Sequence, residues 1–431
     1  MSKISTFIHV IDDNTLWNAL SKEKICLSKD SIDYIRDNKD NDNLKDIPLE
    51  IKNNKDIITT PLREEKLINY WIDKTTDREY QGLYLITTTS CNLNCDYCFY
   101  RSGISESLLK RSNMSFEVCK KAIDKFKEIT SNNKKGKGYW QQITFYGGEP
   151  SINKELLVKA IPYARKVFKD KYTSIVINTN LTIYDEELFN IYKDYKAEVQ
   201  VSLDGTKEMH DKHRKMLGGE GSFDLVISNI KKLKELGVTI IPMVTANDVN
   251  VEKFSDVLYE IVKETGTTDF GVNILITDSY KVDDNYPKEL AYQMKKAFDK
   301  FGEMANDCEF VSLREGLLGI GKNIVKNSCG STRKITVFPD GRVFACQALE
   351  KHPNNYMGTL DDDFINNSNW DYFRKRNRFR LEKCLKCPAI GSCGAGCSQG
   401  AYNRNKDIYH EDYNQCEYVK KLFKLMNKKE S

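Results

Sequence analysis

Cys91, Cys95 and Cys98 lie in the stretch Thr88-Thr89-Ser90-Cys91-Asn92-Leu93-Asn94-Cys95-Asp96-Tyr97-Cys98-Phe99-Tyr100, which offers three thiolates in a C-x3-C-x2-C spacing. That is one ligand short of a closed site. A structural zinc or a 4Fe–4S cube normally takes four protein ligands, so three close cysteines suggest a cluster whose fourth iron stays open to a small molecule. A zinc knuckle, or three cysteines that merely pack, would carry the same spacing. Gly147-Gly148-Glu149-Pro150 adds a glycine pair that lets the backbone approach a ligand closely, and a carboxylate that can accept from an ammonium group. A second cysteine set follows: Cys329, eleven residues, Gly341, four residues, Cys346, then Cys384-x2-Cys387-x5-Cys393-x3-Cys397 and finally Cys416. Cys384-x2-Cys387 alone could be half of a zinc ribbon.

The spacing at 91 to 98, with the aromatic Tyr97 just before the third cysteine, resembles the signature of the radical S-adenosylmethionine (SAM) superfamily. Gly147 to Pro150 resembles that family's GGEP motif, Asn178-Thr179-Asn180 its polar triplet near SAM, and Ser202-Leu203-Asp204-Gly205 with His210-Asp211-x-x-Arg214 its SxDG and HDxxR elements. The resemblance implies a 4Fe–4S cluster on Cys91, Cys95 and Cys98, its open iron chelated by the amino and carboxylate groups of SAM. Gly147, Gly148 and Glu149 would hold the SAM amino group, and Asn180 would lie beside the cofactor. Ser202 and Arg214 would meet its carboxylate or ribose, where a guanidinium fits bidentately. The backbone of Tyr97 would face the adenine, and His210 and Asp211 would brace their loop. In the family the cluster donates an electron, the carbon–sulfur bond of SAM breaks, and a 5′-deoxyadenosyl radical forms. The seven C-terminal cysteines resemble the SPASM domain, which implies two auxiliary 4Fe–4S clusters. By that analogy Cys384, Cys387, Cys393 and Cys416 close one, and Cys329, Cys346 and Cys397 hold the other. Seven ligands for eight positions leave either an open iron or a place for Cys308.

These residues need elements to carry them. From Gly82 onward near-continuous apolar or β-branched runs alternate with helical patterns, as in a parallel sheet covered on both faces. The spacing predicts strands at Leu83–Thr88, Gln142–Tyr146, Ser174–Asn178, Glu198–Leu203, Thr239–Val244 and Gly271–Ile276. Helices are predicted over Ser115–Ile129, Glu155–Phe168, Glu186–Tyr195, Phe223–Leu236, Val251–Thr265 and Lys288–Asn306. The expected class is α/β, a partial (β/α)6 TIM-like barrel, with every motif of the first set at a strand's C-terminal end. Residues 1–80 form an N-terminal block, with a hairpin expected of Thr6–Ile11 and Lys24–Leu27 around Asp12-Asp13-Asn14, and helices at Ser31–Arg36 and Leu62–Trp71. Residues 81–310 are the expected barrel. Residues 311–431 are the cysteine-rich domain, too irregular to stand without metal or covalent staples.

Composition sets the outer limits. The 431 residues, 40% hydrophobic and 30% charged, are those of an ordinary globular protein of two or three domains. The net charge of +4 asks for no nucleic acid; the basic Lys134-Lys135-Gly136-Lys137 loop and the Lys420–Lys429 tail read as a solvated loop and a helix end. No run of about 18 apolar residues calls for a membrane, and no signal pattern opens the chain, so the expected location is the cytoplasm. Thirteen cysteines in such a chain argue for metal ligation over disulfides, with Cys119 a core residue.

SPASM relatives modify peptides or proteins, which implies a precursor-peptide substrate and an external electron donor such as flavodoxin or ferredoxin. The expected activity is maturation of a ribosomally made precursor by oxidative modification or crosslinking, a thioether among the products. Residues 1–80 would recruit the leader by adding it as a strand to a sheet edge. The alternative is formylglycine formation on a sulfatase. Relatives of that subgroup place an Asp base after the cysteine of the G-x4-C element, where this chain has Gln347, an amide that cannot take a proton near neutral pH. A non-catalytic iron–sulfur carrier would have no use for Gly147–Pro150, Ser202 or Arg214.

Overall fold

The computed structural model describes residues 2–76, 79–98, 112–133, 139–267, 269–276, 280–304 and 330–427. Cys308, Cys329, the Gly321–Ser328 run and the Lys134–Lys137 loop lie outside them. The chain divides into two compact units. One is formed by residues 2–76 with 374–427, the other by 79–304 with 330–373.

The second unit is built on a nine-stranded sheet. Six strands run parallel in chain order: β6 (Gly82–Thr88), β7 (Gln141–Gly147), β8 (Thr173–Thr179), β9 (Glu198–Ser202), β10 (Ile240–Ala246) and β11 (Gly271–Ile274). The central strands bury their aliphatic and Phe side chains fully, Ile143 and Phe145 on β7, Ile175 and Ile177 on β8, Val199 and Val201 on β9. Each such side chain contributes about 1.5–3 kcal/mol of burial. The crossover helices present a matching stripe. Phe116–Thr130 buries Cys119, Ala122, Ile123 and Phe126, and Lys154–Val167 buries Leu156, Leu157, Ala160, Ile161 and Ala164. Ser115 caps the first of these helices by accepting from Val118 N, and Asp185 caps Glu186–Asp194 by accepting from Leu188 N. The partial parallel barrel expected from the residue pattern is therefore present. All six C-terminal strand ends fall on one side, and the loops that leave them carry the first motif set.

Two parts of the expected fold need correction. The sheet continues past β6, which pairs in parallel with β12 (Lys334–Val337), followed by antiparallel β13 (Arg342–Phe344) and β14 (Tyr356–Thr359). These strands have three or four residues, too few to display a period in the sequence. At the other edge β11 ends at Ile274, two residues early; its residues are half-buried or exposed, so burial does not extend it. In the first unit, Asp12-Asp13-Asn14 does not join the two runs assigned to a hairpin. It joins β2 (Ile8–Asp12) to β3 (Thr15–Asn18), and β4 (Glu23–Cys26) pairs on the far side of β3. Thr15–Asn18 was missed because Trp17 and Leu16 sit between polar neighbours in a four-residue strand.

The rest of that unit comprises the short pair β1 (Lys3–Ile4) and β5 (Ile58–Thr59), helices Lys29–Asp37, Leu49–Lys52 and Pro61–Thr75, and the C-terminal helices. Ile4, Ile8, Leu16, Ile32, Ile35, Leu44, Ile51 and Ile57 form its N-terminal core. No described helix is long and apolar enough to cross a membrane.

Candidate active site

The loop after β6 carries Cys91, Cys95 and Cys98, and the glycine pair after β7 is what lets that loop sit where it does. A Cβ on Gly148 would lie 2.2 Å from Ser90 O and 3.1 Å from Cys91 Cβ, and one on Gly147 (φ +145°) would lie 2.2 Å from Thr88 O. Gly148 N donates to Thr88 O and Glu149 N to Ser90 O, each at 2.9 Å. The close approach expected of these glycines is thus made to the cysteine loop's own backbone.

Glu149 is buried with its carboxylate facing three donors. Oε1 accepts from Ser151 N at 3.0 Å and Thr179 Oγ1 at 2.7 Å, and Oε2 accepts from Asn180 N at 2.7 Å. Burial pushes its pKa up against these bonds. Asn180 donates from Nδ2 to Asn92 Oδ1 at 2.9 Å and lies 3.9 Å from Cys91 Sγ. Glu149, Asn180 and the cysteine loop therefore form one assembly at the ends of β6, β7 and β8.

Its other wall centres on Asp204, which is fully buried. Asp204 Oδ1 accepts from Thr245 N at 2.9 Å; Oδ2 accepts from Arg214 Nε at 2.8 Å and from the Tyr97 hydroxyl. The Arg214 fork is thus engaged by Asp204. Burial opposes the Arg214 charge, but Asp204 and the nearby Cys95 raise its pKa on balance. Tyr97 also packs against Arg214, whose guanidinium lies 5.4 Å from the ring centroid. Sequence reasoning quoted Asp204 within a motif and gave it no role, although a carboxylate next to a strand end, ten residues before an arginine, was visible. Ser202 closes β9, half-buried.

His210 and Asp211 brace the loop as expected. His210 Nδ1 accepts from Asp204 N, so Nε2–H donates to Ser222 Oγ at 2.9 Å, and Ser222 Oγ donates to Arg214 O. Burial holds the His210 pKa down to about 4. Asp211 accepts from Phe223 N at the start of Phe223–Glu235. His213, which had no role in the sequence reading, is buried with Nδ1 3.2 Å from Asp96 and Nε2 3.0 Å from Asp248.

The three thiols are close enough to interact. Burial raises Cys91 to about 12 and Cys95 to about 11, with Arg214 opposing the shift at Cys95. Cys91 Sγ accepts from Leu93 N, and Cys98 packs with Ile86, Phe338 and Phe344. Cys91 and Cys95 thus hold their protons more firmly than free thiols and would release them to a metal.

In the first unit Cys384, Cys387, Cys393 and Cys416 line one cavity with Ile390, Ala395 and Arg378. Burial raises all four thiols, Cys384 to about 12 and Cys416 to about 11. No group of three or more His, Cys, Asp or Glu side chains among the described residues is arranged for a single metal ion. Four thiols around a cavity fit a cluster broader than one ion. Ala395 (φ +70°) and Gly396 (φ +71°) make the left-handed turn between Cys393 and Cys397. Arg376, buried, ties that turn down by donating to Ala395 O, Gly396 O, Ile408 O and His410 O. Cys397 belongs to this unit, its N donating to Asp412 Oδ2 at 3.0 Å. Cys346 belongs to the other, after the Gly341 turn (φ +83°), with Asn355 accepting from its N at 2.9 Å and donating to its O at 2.8 Å.

A model of the radical SAM superfamily matches residues 85–261. The cysteine-type anaerobic sulfatase-maturating enzyme of Clostridium novyi is 27% identical over 74% of this chain and 87% of its own length. The radical SAM cyclopropyl synthase TigE of Paramaledivibacter caminithermalis is 22% identical over 82% of this chain and 75% of its own length. Among solved structures, native anSMEcpe with bound AdoMet superposes with a TM-score of 0.66 at 22% identity, covering 80% of this chain and 97% of that one. Streptococcus suis SuiB bound to precursor peptide SuiA superposes with a TM-score of 0.58 at 15% identity, covering 96% and 100%. At these identities the structural likeness speaks to the fold.

Proposed function

The chain belongs to the radical SAM superfamily, and on that premise we propose that it matures a ribosomally made precursor peptide by oxidative modification or crosslinking. The observation that carries this reading is the N-terminal block. A superposition over 96% of the chain leaves too few residues unmatched to omit it, and the protein matched is one bound to a precursor peptide. The block ends its three-stranded antiparallel sheet in β4, an edge strand with mostly exposed residues, open to strand addition by a leader.

Cys91, Cys95 and Cys98 would hold the SAM-binding 4Fe–4S cluster, and cluster and SAM together supply one-electron reduction and hydrogen-atom abstraction. The chain's own residues bind and orient. Glu149 offers its one-donor oxygen, Oε2, to the ammonium of SAM, and the Gly147–Gly148 seat fixes the cysteine loop against β7. Asp204 holds Arg214 and Tyr97 in place. The sheet and its covering helices exclude water. Cys384, Cys387, Cys393 and Cys416 would hold a second cluster, and Cys329, Cys346 and Cys397 a third with an open iron or Cys308 as its last ligand. An external flavodoxin or ferredoxin would supply electrons.

Sulfatase maturation is the second reading, favoured by the sequence relatives. Against it stands Gln347, which accepts from Lys334 Nζ at 2.7 Å. An amide held by a lysine gives no base at the position where that chemistry takes a carboxylate. The test is to incubate the anaerobically reconstituted protein with SAM, a reductant and either a short peptide encoded beside its gene or a cysteine-bearing sulfatase peptide. Mass loss in the gene-neighbour peptide supports precursor maturation; formylglycine in the sulfatase peptide alone would overturn it.

A further inference from the structure

The four-thiol cavity and the N-terminal sheet meet along β3. Trp17 Nε1 donates to Pro388 O at 2.8 Å, and Pro388 directly follows Cys387. A Cβ on Gly391 would lie 2.2 Å from Ala19 O, so the cysteine loop rests on the end of β3 backbone to backbone. Ile390 lines the thiol cavity and is also part of the core made by Phe7, Ala19 and Phe379. The Trp17 ring meets Phe423 edge to face at 5.4 Å, on the helix Tyr413–Asn427 that carries Cys416. Loop and helix, the two elements that supply the four thiols, are thus the floor on which β3 lies.

We propose a second function for this site: filled with its cluster, it holds the N-terminal sheet in the form that takes the peptide. The inference rests on the reading of these four thiols as cluster ligands. Between Cys384 and Cys397 the chain has only a four-residue helix, Glu382–Leu385, and turns. With so little regular structure, the Cys384–Cys393 stretch would gain its firmest ties from the bonds of its thiols to a cluster. Losing the cluster frees Pro388, Ile390 and Gly391, and with them the seat of Trp17 and Ala19. Among the described residues β4 pairs with β3 alone, so the open edge loses its register with the floor. Peptide recruitment is then conditional on cluster loading, and a damaged enzyme releases its substrate instead of starting radical chemistry on it.

The test is hydrogen–deuterium exchange on the full chain, reconstituted and iron-free, with strands β7–β9 as internal reference. Exchange over Ile8–Cys26 is expected to be about tenfold faster or more without iron while the reference changes little. Equal rates in the two forms, or a reference that accelerates as much, would overturn the coupling. Gly391→Ala keeps every thiol; it is expected to retain its iron and to exchange rapidly over Ile8–Cys26 even when loaded. Protection like that of the wild type would show that the seat carries no coupling. The iron content of Cys384→Ser separates this from the premise: a fall of about four irons supports the cluster reading, and an unchanged count removes the premise itself.

Discussion

On the proposed reading, the Glu149 side chain does two jobs whose energies differ, bracing its loop and facing the ammonium of SAM. Its three protein donors would persist in Glu149→Gln only in part, because an amide presents one acceptor oxygen and the acid two. The larger loss is the negative charge opposite an incoming ammonium, a charge-assisted bond of about 1.5–3 kcal/mol. The dissociation constant for SAM in the reconstituted protein should rise about 10- to 100-fold. An unchanged constant in equilibrium dialysis would reduce Glu149 to a loop cap. His210 gives a pH-dependent counterpart. Its folded pKa near 4 lies below the ordinary 6.5, so the unfolded chain takes up the proton first as pH falls. Stability from the neutral ring is therefore full above 6.5 and lost progressively down to 4, about 3 kcal/mol in all. Between pH 7.5 and 5.5, the stability advantage of the wild type over His210→Gln should shrink by about 1 kcal/mol in urea unfolding. A constant difference would mean that the ring titrates in the fold as it does in the unfolded chain, and a growing one that it is already protonated in the fold.

Elements determined what could be read without coordinates. The six parallel strands were legible because a strand covered on both faces must be apolar throughout, and Ile143, Phe145, Ile175 and Ile177 have no other place to go. The motifs were legible because chemistry fixes residue type and spacing together. The network around Asp204 was not, since Thr245 on β10, Tyr97 and Arg214 come from three separate stretches of chain and only the fold joins them. Nor was the purpose of Gly148, whose neighbour is a carbonyl 58 residues earlier in the chain. Gly148→Ala should block assembly of the first cluster, lowering reconstituted iron by about four atoms, because backbone cannot yield as a flexible side chain can. An alanine variant with full iron and normal 5′-deoxyadenosine formation would refute the seat. At the N-terminal sheet, strand addition predicts that a substrate peptide slows amide exchange at Glu23–Cys26. Protection appearing only elsewhere would place the leader on another surface.

The whole molecule has to house its clusters with the ligands it owns. On the proposed reading, ten cysteines in two family patterns hold three clusters, and about twelve irons are expected after full anaerobic reconstitution. Replacing Cys91, Cys95 and Cys98 together by alanine should abolish 5′-deoxyadenosine and leave at least the roughly four irons proposed for Cys384, Cys387, Cys393 and Cys416, which stand in a different compact unit. The inner auxiliary site is the one that seven cysteines cannot close. An open iron there would offer a seat to a substrate thiolate, since coordination favours the deprotonated sulfur. A cluster held there would supply an acceptor for the electron released when a carbon–sulfur bond closes on the substrate. Cys308→Ser decides between this and closure by the protein. Should the variant lose about four irons, Cys308 is the eighth ligand and direct ligation of substrate is excluded. Should it keep them, adding a cysteine-bearing substrate peptide is expected to change the electron paramagnetic resonance spectrum of the inner cluster, and a peptide with serine in place of cysteine to leave it unchanged.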